Sequence, residues 1–225
     1  MNILGKLLAE GLEVRRQAHV RQVKAVGDRW QLEFGDEEVL VAKTVLINTP
    51  ATQALELCKR VELNAEIETA LSAVKFQPCF AVLAGYPSDL APEWKGVNVE
   101  GHLDLAWIAH DSSKRASPSQ TVFVLHSTPA FAQKHFFDPP DQVEERLLEA
   151  ASILGDFVTR PLWTDRQRWR YALADHPAQK PYYSHRNSLF FCGDWCGGAR
   201  IESAYRSGVE VAEAMLRAQT AEPQL

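Results

Sequence analysis

The stretch Ser188-Leu-Phe-Phe-Cys-Gly-Asp-Trp-Cys-Gly-Gly-Ala-Arg-Ile-Glu-Ser-Ala-Tyr-Arg-Ser-Gly208, with its continuation to about Ala218, divides into three pieces. Leu189 to Cys192 is a short apolar run of strand length, Gly193 to Ala199 is a polar, Gly-rich turn, and a helix comes after it. Ile201, Ala204, Tyr205, Val209, Ala212 and Leu216 recur at three- and four-residue spacing, the period of a helix with one apolar face. A strand that feeds through glycines into a helix start aims unpaired backbone N–H groups, and the positive end of the helix dipole, at whatever lies ahead. Gly193 permits positive φ and close backbone approach, and Asp194 sets a carboxylate just past the strand, where ligand hydroxyls can donate to it. The same pattern also describes an ordinary strand–turn–helix connection with Asp194 capping locally, and spacing does not separate the two.

Upstream, Ile3 to Ala9 is a short amphipathic helix ended by Gly11 at a C-cap-like position. Leu12 to Arg15 and Val20 to Val26 read as strands, Gly27-Asp28 turns into the alternating run Trp30 to Phe34, and Gly35-Asp36 turns again into Val39 to Val41. Thr44 to Asn48 is a continuous apolar run suited to a strand covered on both faces, and Thr49-Pro50-Ala51 opens a helix. In the middle of the chain, Ala65 to Val74 is helical, Cys79 to Gly85 and Thr121 to His126 are strands, and Val97 to Val99 pairs with Leu103 to Ala109 as a hairpin. Ser112 to Gln120 is a polar loop, and a helix opening at Asp138-Pro-Pro carries Val143, Leu147, Leu148, Ala151 and Leu154 to Gly155. Arg168-Trp-Arg-Tyr-Ala172 places Trp169 and Tyr171 on one strand face and the arginines on the other. That suits either a sheet edge beside a planar ligand or a core tryptophan with solvated arginines.

Composition narrows the classes. A length of 225 residues allows one large domain or two small ones, and 46% hydrophobic with 24% charged residues is the balance of a soluble globular protein. A net charge of −5 excludes the basic footprint of nucleic-acid binding. No apolar run approaches the roughly 18 residues of a membrane helix, and a signal-peptide pattern is missing. Cys58, Cys79, Cys192 and Cys196 have no C-x-x-C spacing and read as reduced thiols of a cytoplasmic protein. The histidines lack H-x-x-x-H or H-E-x-x-H spacing, so no metal site is expected. Cys196, near a helix start, stands where thiolate is favoured, but no general base can be named for it.

Leu189-Phe-Phe-Cys-Gly-Asp-Trp together with Arg200-Ile-Glu-Ser-Ala-Tyr-Arg-Ser-Gly208 resembles the C-terminal flavin motif of the FAD-dependent amine-oxidase superfamily. The layout from the first helix to Thr49-Pro50-Ala51 is similar to the region downstream of the dinucleotide-binding unit in that superfamily. The resemblance implies an α/β fold: part of an FAD-binding domain of the amine-oxidase/p-hydroxybenzoate-hydroxylase type, plus a mixed-sheet substrate domain with helices on one face. It divides the chain into residues 1–62 (FAD domain), 63–172 (substrate domain) and 173–225 (the C-terminal strand–turn–helix of the FAD domain). It also implies FAD contacts from Val20, Thr49, Pro50, Gly193, Asp194, Arg200, Ile201 and Glu202. Asp194 would meet the ribityl chain or diphosphate, and the backbone of Ile201 and Glu202 would face flavin N1 and O2, where positive potential stabilises the reduced ring. Val20 reads equally well as a plain ribbon residue. Trp169 and Tyr171 would wall the substrate cavity, and the Arg-Trp-Arg-Tyr segment ahead of the Gly-Asp pair resembles the renalase-like branch. The implied reaction is hydride transfer from a C–H beside nitrogen to the flavin, with reoxidation by O2.

The sequence departs from the superfamily at one point. The superfamily opens with a strand, G-x-G-x-x-G and a helix gripping the FAD diphosphate, and no G-x-G spacing occurs here. Three explanations stand: a fragment or mis-started frame of a complete flavoprotein, one piece of a split enzyme completed by another chain, or a shortened paralogue that no longer binds FAD. The expectation is weak or absent FAD binding by this chain alone. Thr44 to Asn48 and Leu189 to Cys192 would then be unpaired sheet edges, with a tendency to self-associate.

Overall fold

The computed structural model describes residues 2–35 and 38–220, and the chain divides into two compact units, Met1–Val74 with Pro177–Leu225, and Lys75–His176. The first unit opens with α1 (Asn2–Leu8), released at Gly11 with φ +80°, the C-cap behaviour its glycine predicts. No strand forms over Leu12–Arg15: these residues are exposed and join no strand ladder, so propensity there is not enough to make a strand. β1 (Val20–Val26), β2 (Arg29–Phe34) and β3 (Val39–Ala42) make the antiparallel ribbon, with Val26 opposite Arg29 across the Gly27-Asp28 turn. Asp36, of the second expected turn, lies outside the described residues.

β4 (Val45–Ile47), β10 (Tyr183–His185) and β11 (Leu189–Phe191) form a second sheet in the order β10-β11-β4. β11 pairs in parallel with β4 and antiparallel with β10, so the expectation of an unpaired edge at Leu189–Cys192 is corrected: β11 is the central strand. β10 is too short to leave a periodic signal in the sequence. β4 pairs only with β11 among the described strands, and Leu46 is 41% exposed, so this strand is covered on one face and not on both. Alternation decides which residues show: Val45 and Ile47 turn inward and Leu46 turns out. α2 (Ala51–Leu57) packs against α3 (Ala65–Ala73), whose N-cap Asn64 accepts from Ile67 N at 2.9 Å. That packing counts α3 with the first unit, where the boundary expected at residue 62 would group it with the substrate domain.

α6 (Ile201–Thr220) lies on this sheet through Ser207, Val211 and Ala214, against Phe190 and Cys192. This corrects the expected helix face. Ile201, Tyr205, Val209 and Leu216, the apolar period read from sequence, are exposed. At about 100° per residue they lie on the side of the helix opposite Ser207 and Val211. Small residues face the sheet because they let the helix axis come close; the bulky stripe faces away.

The second unit is one sheet of β5 (Lys75–Tyr86), β6 (Gly96–Asn98), β7 (Leu105–His110), β8 (Thr121–Ser127) and β9 (Trp163–His176), in the order β6-β7-β8-β5-β9. In place of the mixed sheet expected, every pairing in it is antiparallel, and among the described strands the parallel pairing is β4 with β11. β8 alternates buried and half-buried along its length. Its buried side joins Phe80, Val82, Ala84, Tyr86, Leu105 and Ile108 under α4 (Pro129–Lys134) and α5 (Pro140–Ala150). Each large apolar side chain removed from water here contributes about 1.5–3 kcal/mol. The Tyr86 hydroxyl donates to Val158 O at 2.7 Å, so this deeply buried polar atom is paired. α4 leaves little periodic signal because it is so short, though Thr128 marks its start, accepting from Phe131 N at 3.1 Å. Pro78 sits where β5 and β9 lose register, the position a strand proline tolerates.

Candidate functional site

Because β4 and β11 run parallel, Ile47 beside Phe191, their C-terminal ends open side by side, with Cys192 N donating to Ile47 O at 3.1 Å. β4 empties into Thr49, Pro50 and the start of α2; β11 empties into Gly193 and the single-turn 3-10 helix Asp194–Cys196. The carboxyl ends of parallel strands are where open α/β sheets take their ligands. The geometry thus brings Thr49, Pro50, Gly193 and Asp194 to one corner.

The corner is built on an indole. Trp195 is fully buried, lies parallel to Tyr183 at 6.4 Å between ring centroids, and donates from Nε1 to Thr49 O at 3.1 Å. Gly193 has φ +151°, and a Cβ there would stand 2.7 Å from Trp195 Nε1, so only glycine lets the indole fold back under the turn. Ser207 ties the helix to the same turn: its Oγ accepts from Gly193 N at 3.0 Å and donates to Pro181 O at 2.6 Å. Ser207→Ala leaves two part-buried backbone groups, Gly193 N and Pro181 O, without this partner and is expected to lower unfolding stability by about 1–3 kcal/mol, read by urea denaturation. Trp195, Tyr183 and Ser207 carry no role in the sequence pattern. A serine inside a helix whose neighbours on that face are Val211 and Ala214 was the available signal.

Past the turn, Arg200, Ile201 and Glu202 are exposed at the start of α6, where Ala204 N donating to Arg200 O at 3.2 Å begins the helical ladder. The N–H groups of the first turn therefore have no acceptor inside the helix, and they carry the positive end of its dipole. The Oγ1 of Thr49 is buried without a partner. An orphaned hydroxyl, open space at Gly198 (φ +105°), the Asp194 carboxylate and a free helix start together fit a polar chain attached to a flat electron-accepting ring. The residues present therefore fit the ring and ribityl side of a flavin.

Val20 opens β1 opposite Phe34, and β1 packs against α2; no hydrogen bond among the described residues links Val20 to the corner. Trp169 and Tyr171 belong to the second unit. Trp169 is 55% exposed, while Tyr171, inside the register shift between Trp169 and Leu173, packs edge-on against Phe76 at 5.4 Å, so the two do not share one regular face. Trp169 is thus no core residue, and Arg168 and Arg170 are not simply solvated: both guanidinium groups lie over Phe136, at 4.8 and 5.0 Å.

The nucleophile reading of Cys196 is overturned. Its thiol is buried and burial pushes its pKa up to about 12, the reverse of what the nearby helix start would do to an open thiol. Cys58 is likewise pushed up to about 12 by burial. Among the described residues, no cluster of three or more His, Cys, Asp or Glu is arranged to hold a metal, and no described helix is long and apolar enough to cross a membrane.

Comparison with known structures agrees with this architecture. Wild-type putrescine oxidase bound to putrescine superposes with a TM-score of 0.68 at 13% identity, over 96% of this chain and 51% of that one. Cyclohexylamine oxidase from Brevibacterium oxydans gives 0.67 at 14% identity, over 91% of this chain and 49% of that one. The chain thus spans about half the length of the solved structures it matches. The sequence profile described as flavin containing amine oxidoreductase matches residues 1–216, and the chain belongs to that family.

Proposed function

We propose that this chain forms the ring-facing half of an FAD-dependent oxidoreductase of renalase type. The single observation that carries the reading is the corner where β4 and β11 end side by side, with the Thr49 Oγ1 at its edge buried and unpartnered. Thr49 and Asp194 hold polar groups of the ribityl chain, and the first-turn N–H groups at Ile201 and Glu202 hold charge at the pyrimidine edge of the ring. Trp195 and Ser207 keep that corner from shifting. Bound flavin supplies the hydride acceptor for a C–H beside nitrogen, with reoxidation by O2. Trp169 and Tyr171 are the residues proposed to meet the substrate, and the free cysteines accord with a cytoplasmic protein.

A polypeptide supplying a dinucleotide-binding unit is the proposed partner. It would add a parallel strand to the free side of β4 and lay a helix beside the outward stripe of Ile201, Tyr205 and Leu216. The second reading is a shortened, non-catalytic paralogue or partner subunit that does not bind FAD by itself. Titration of the purified chain with FAD, FMN and riboflavin, monitored by flavin fluorescence, tests both. Weak binding of similar strength for all three is expected, since the shared part of these ligands is the part this corner meets, and no stoichiometric yellow spectrum should survive purification. A strong preference for FAD defeats the ring-half reading. Absence of binding by all three favours the paralogue.

A further inference from the structure

β9 is an outer strand of the second unit's sheet. Among the described strands it pairs with β5 alone, so along its other side backbone N–H and C=O groups point outward without ladder partners. Gln167, Arg168, Trp169 and Arg170 are exposed on it. The register sets Arg166 beside Val82 and Arg168 beside Phe80, on the face that α4 and α5 cover. Arg170 reaches the same side, because its guanidinium and that of Arg168 both lie over Phe136.

These arginines are held on aromatic rings. Arg166 lies over Phe80 at 5.5 Å, the rings of Phe80 and Phe136 are 6.3 Å apart, and Arg168 Nη1 donates to Phe136 O at 2.8 Å. A guanidinium resting on a ring keeps N–H groups at its rim for an anion. Glu144 Oε1 stands 3.9 Å from Arg166 Nε, whereas Arg168 and Arg170 form no ion pair with any carboxylate of the described residues.

An open edge and two uncompensated charges select the occupant. A second copy of β9 does not suit it: a two-fold antiparallel pair centred anywhere from Arg166 to Arg170 sets arginine opposite arginine, and like charges so placed are destabilising. We infer that this edge takes up an acidic, extended segment of a partner protein as a further strand of the sheet. Alternate residues of a strand are about 6.8 Å apart, so two carboxylates separated by one residue match Arg168 and Arg170. The residue between them meets the other face, where Trp169 favours an apolar side chain. This surface lies wholly in the second unit, and the inference does not depend on the flavin reading.

The test titrates the full chain with fluorescein-labelled acetyl-Glu-Val-Glu-Val-Glu, followed by fluorescence anisotropy and by hydrogen exchange along β9. The peptide should bind, and should slow exchange at Gln167–Arg170. Replacing its glutamates by lysines, or N-methylating its valines so that the ladder cannot form, should each weaken it at least tenfold. Arg170→Gln should weaken it about threefold and the double change Arg168→Gln with Arg170→Gln about tenfold, while Arg170→Lys, which keeps the charge, should weaken it less than Arg170→Gln. No binding at millimolar peptide, equal binding of the lysine or N-methylated peptide, an unaltered affinity in the double variant, or binding without added protection of β9 each overturns the inference. The peptide comparisons and the exchange readout need no variant, so a substitution that impairs folding leaves the test decisive.

Discussion

Trp195→Ala is expected to lower the stability of the first unit by about 3–5 kcal/mol, the range for truncating a fully buried aromatic side chain. The ring is completely enclosed, stacks on Tyr183, and its Nε1 is the donor to Thr49 O, so truncation leaves both a cavity and a stranded carbonyl. Since 1 kcal/mol corresponds to roughly 2–4 °C in a chain of this size, the melting temperature should fall by about 10 °C. The loss should appear first as hydrogen exchange at Leu189–Phe191 and Val45–Ile47, the paired strands whose ends the indole ties together. Trp195→Phe separates the two contributions: it keeps a ring but strands the carbonyl, for about 1–3 kcal/mol. A loss under about 1 kcal/mol for the alanine protein, short of the range for a buried ring, means the indole does not hold this corner, and the preorganised flavin surface goes with it.

Phe123→Ala is expected to have a comparable effect, about 3–5 kcal/mol, confined to the second unit. Phe123 is fully buried with Tyr86 at 5.2 Å, Trp94 stacked at 5.4 Å, His110 at 5.9 Å and Phe157 at 6.4 Å. Aromatic rings crowding one β8 position from several sides leave little room for the site to collapse after truncation, which places the cost high in the range. The neighbours Val122 and Val124 point to the opposite face, so the loss of Phe123 should also loosen that side of the sheet. Exchange protection across β7, β8 and β5 reads both effects. Unchanged protection there would show that the strand pairing, not the aromatic cluster, holds the sheet.

Much of the first unit was legible because its signals are local. Gly11 and Gly27 sit at the positive φ values that their positions suggested, and β1 runs over Val20–Val26 as its pattern implies. The strand–turn–helix from Leu189 is foreshadowed by an apolar run, glycines and a helical period. The site residues Thr49, Pro50, Gly193 and Asp194 meet because two such local units end together, and their gathering rests on resemblance rather than on spacing. The face of α6 is the opposite of the one the period suggests, for a physical reason. Periodicity reports that a helix has an apolar stripe, but not which side lies on the sheet, and here Ser207 and Ala214 win that side by being small.

The kinds of element and their rough positions were already written in the chain: the ribbon, the glycine turn after a buried strand, the helix behind it and the main strands of the middle. Propensity, turn chemistry and periodicity act over a few residues and survive in a linear string. Folding in three dimensions alone set β11 between β10 and β4, brought Trp195 to Thr49, and linked Gly193 to Pro181 through Ser207. Each of these joins positions far apart in the chain. What selects them is close packing and the pairing of buried polar groups, and both depend on neighbours that no local pattern records.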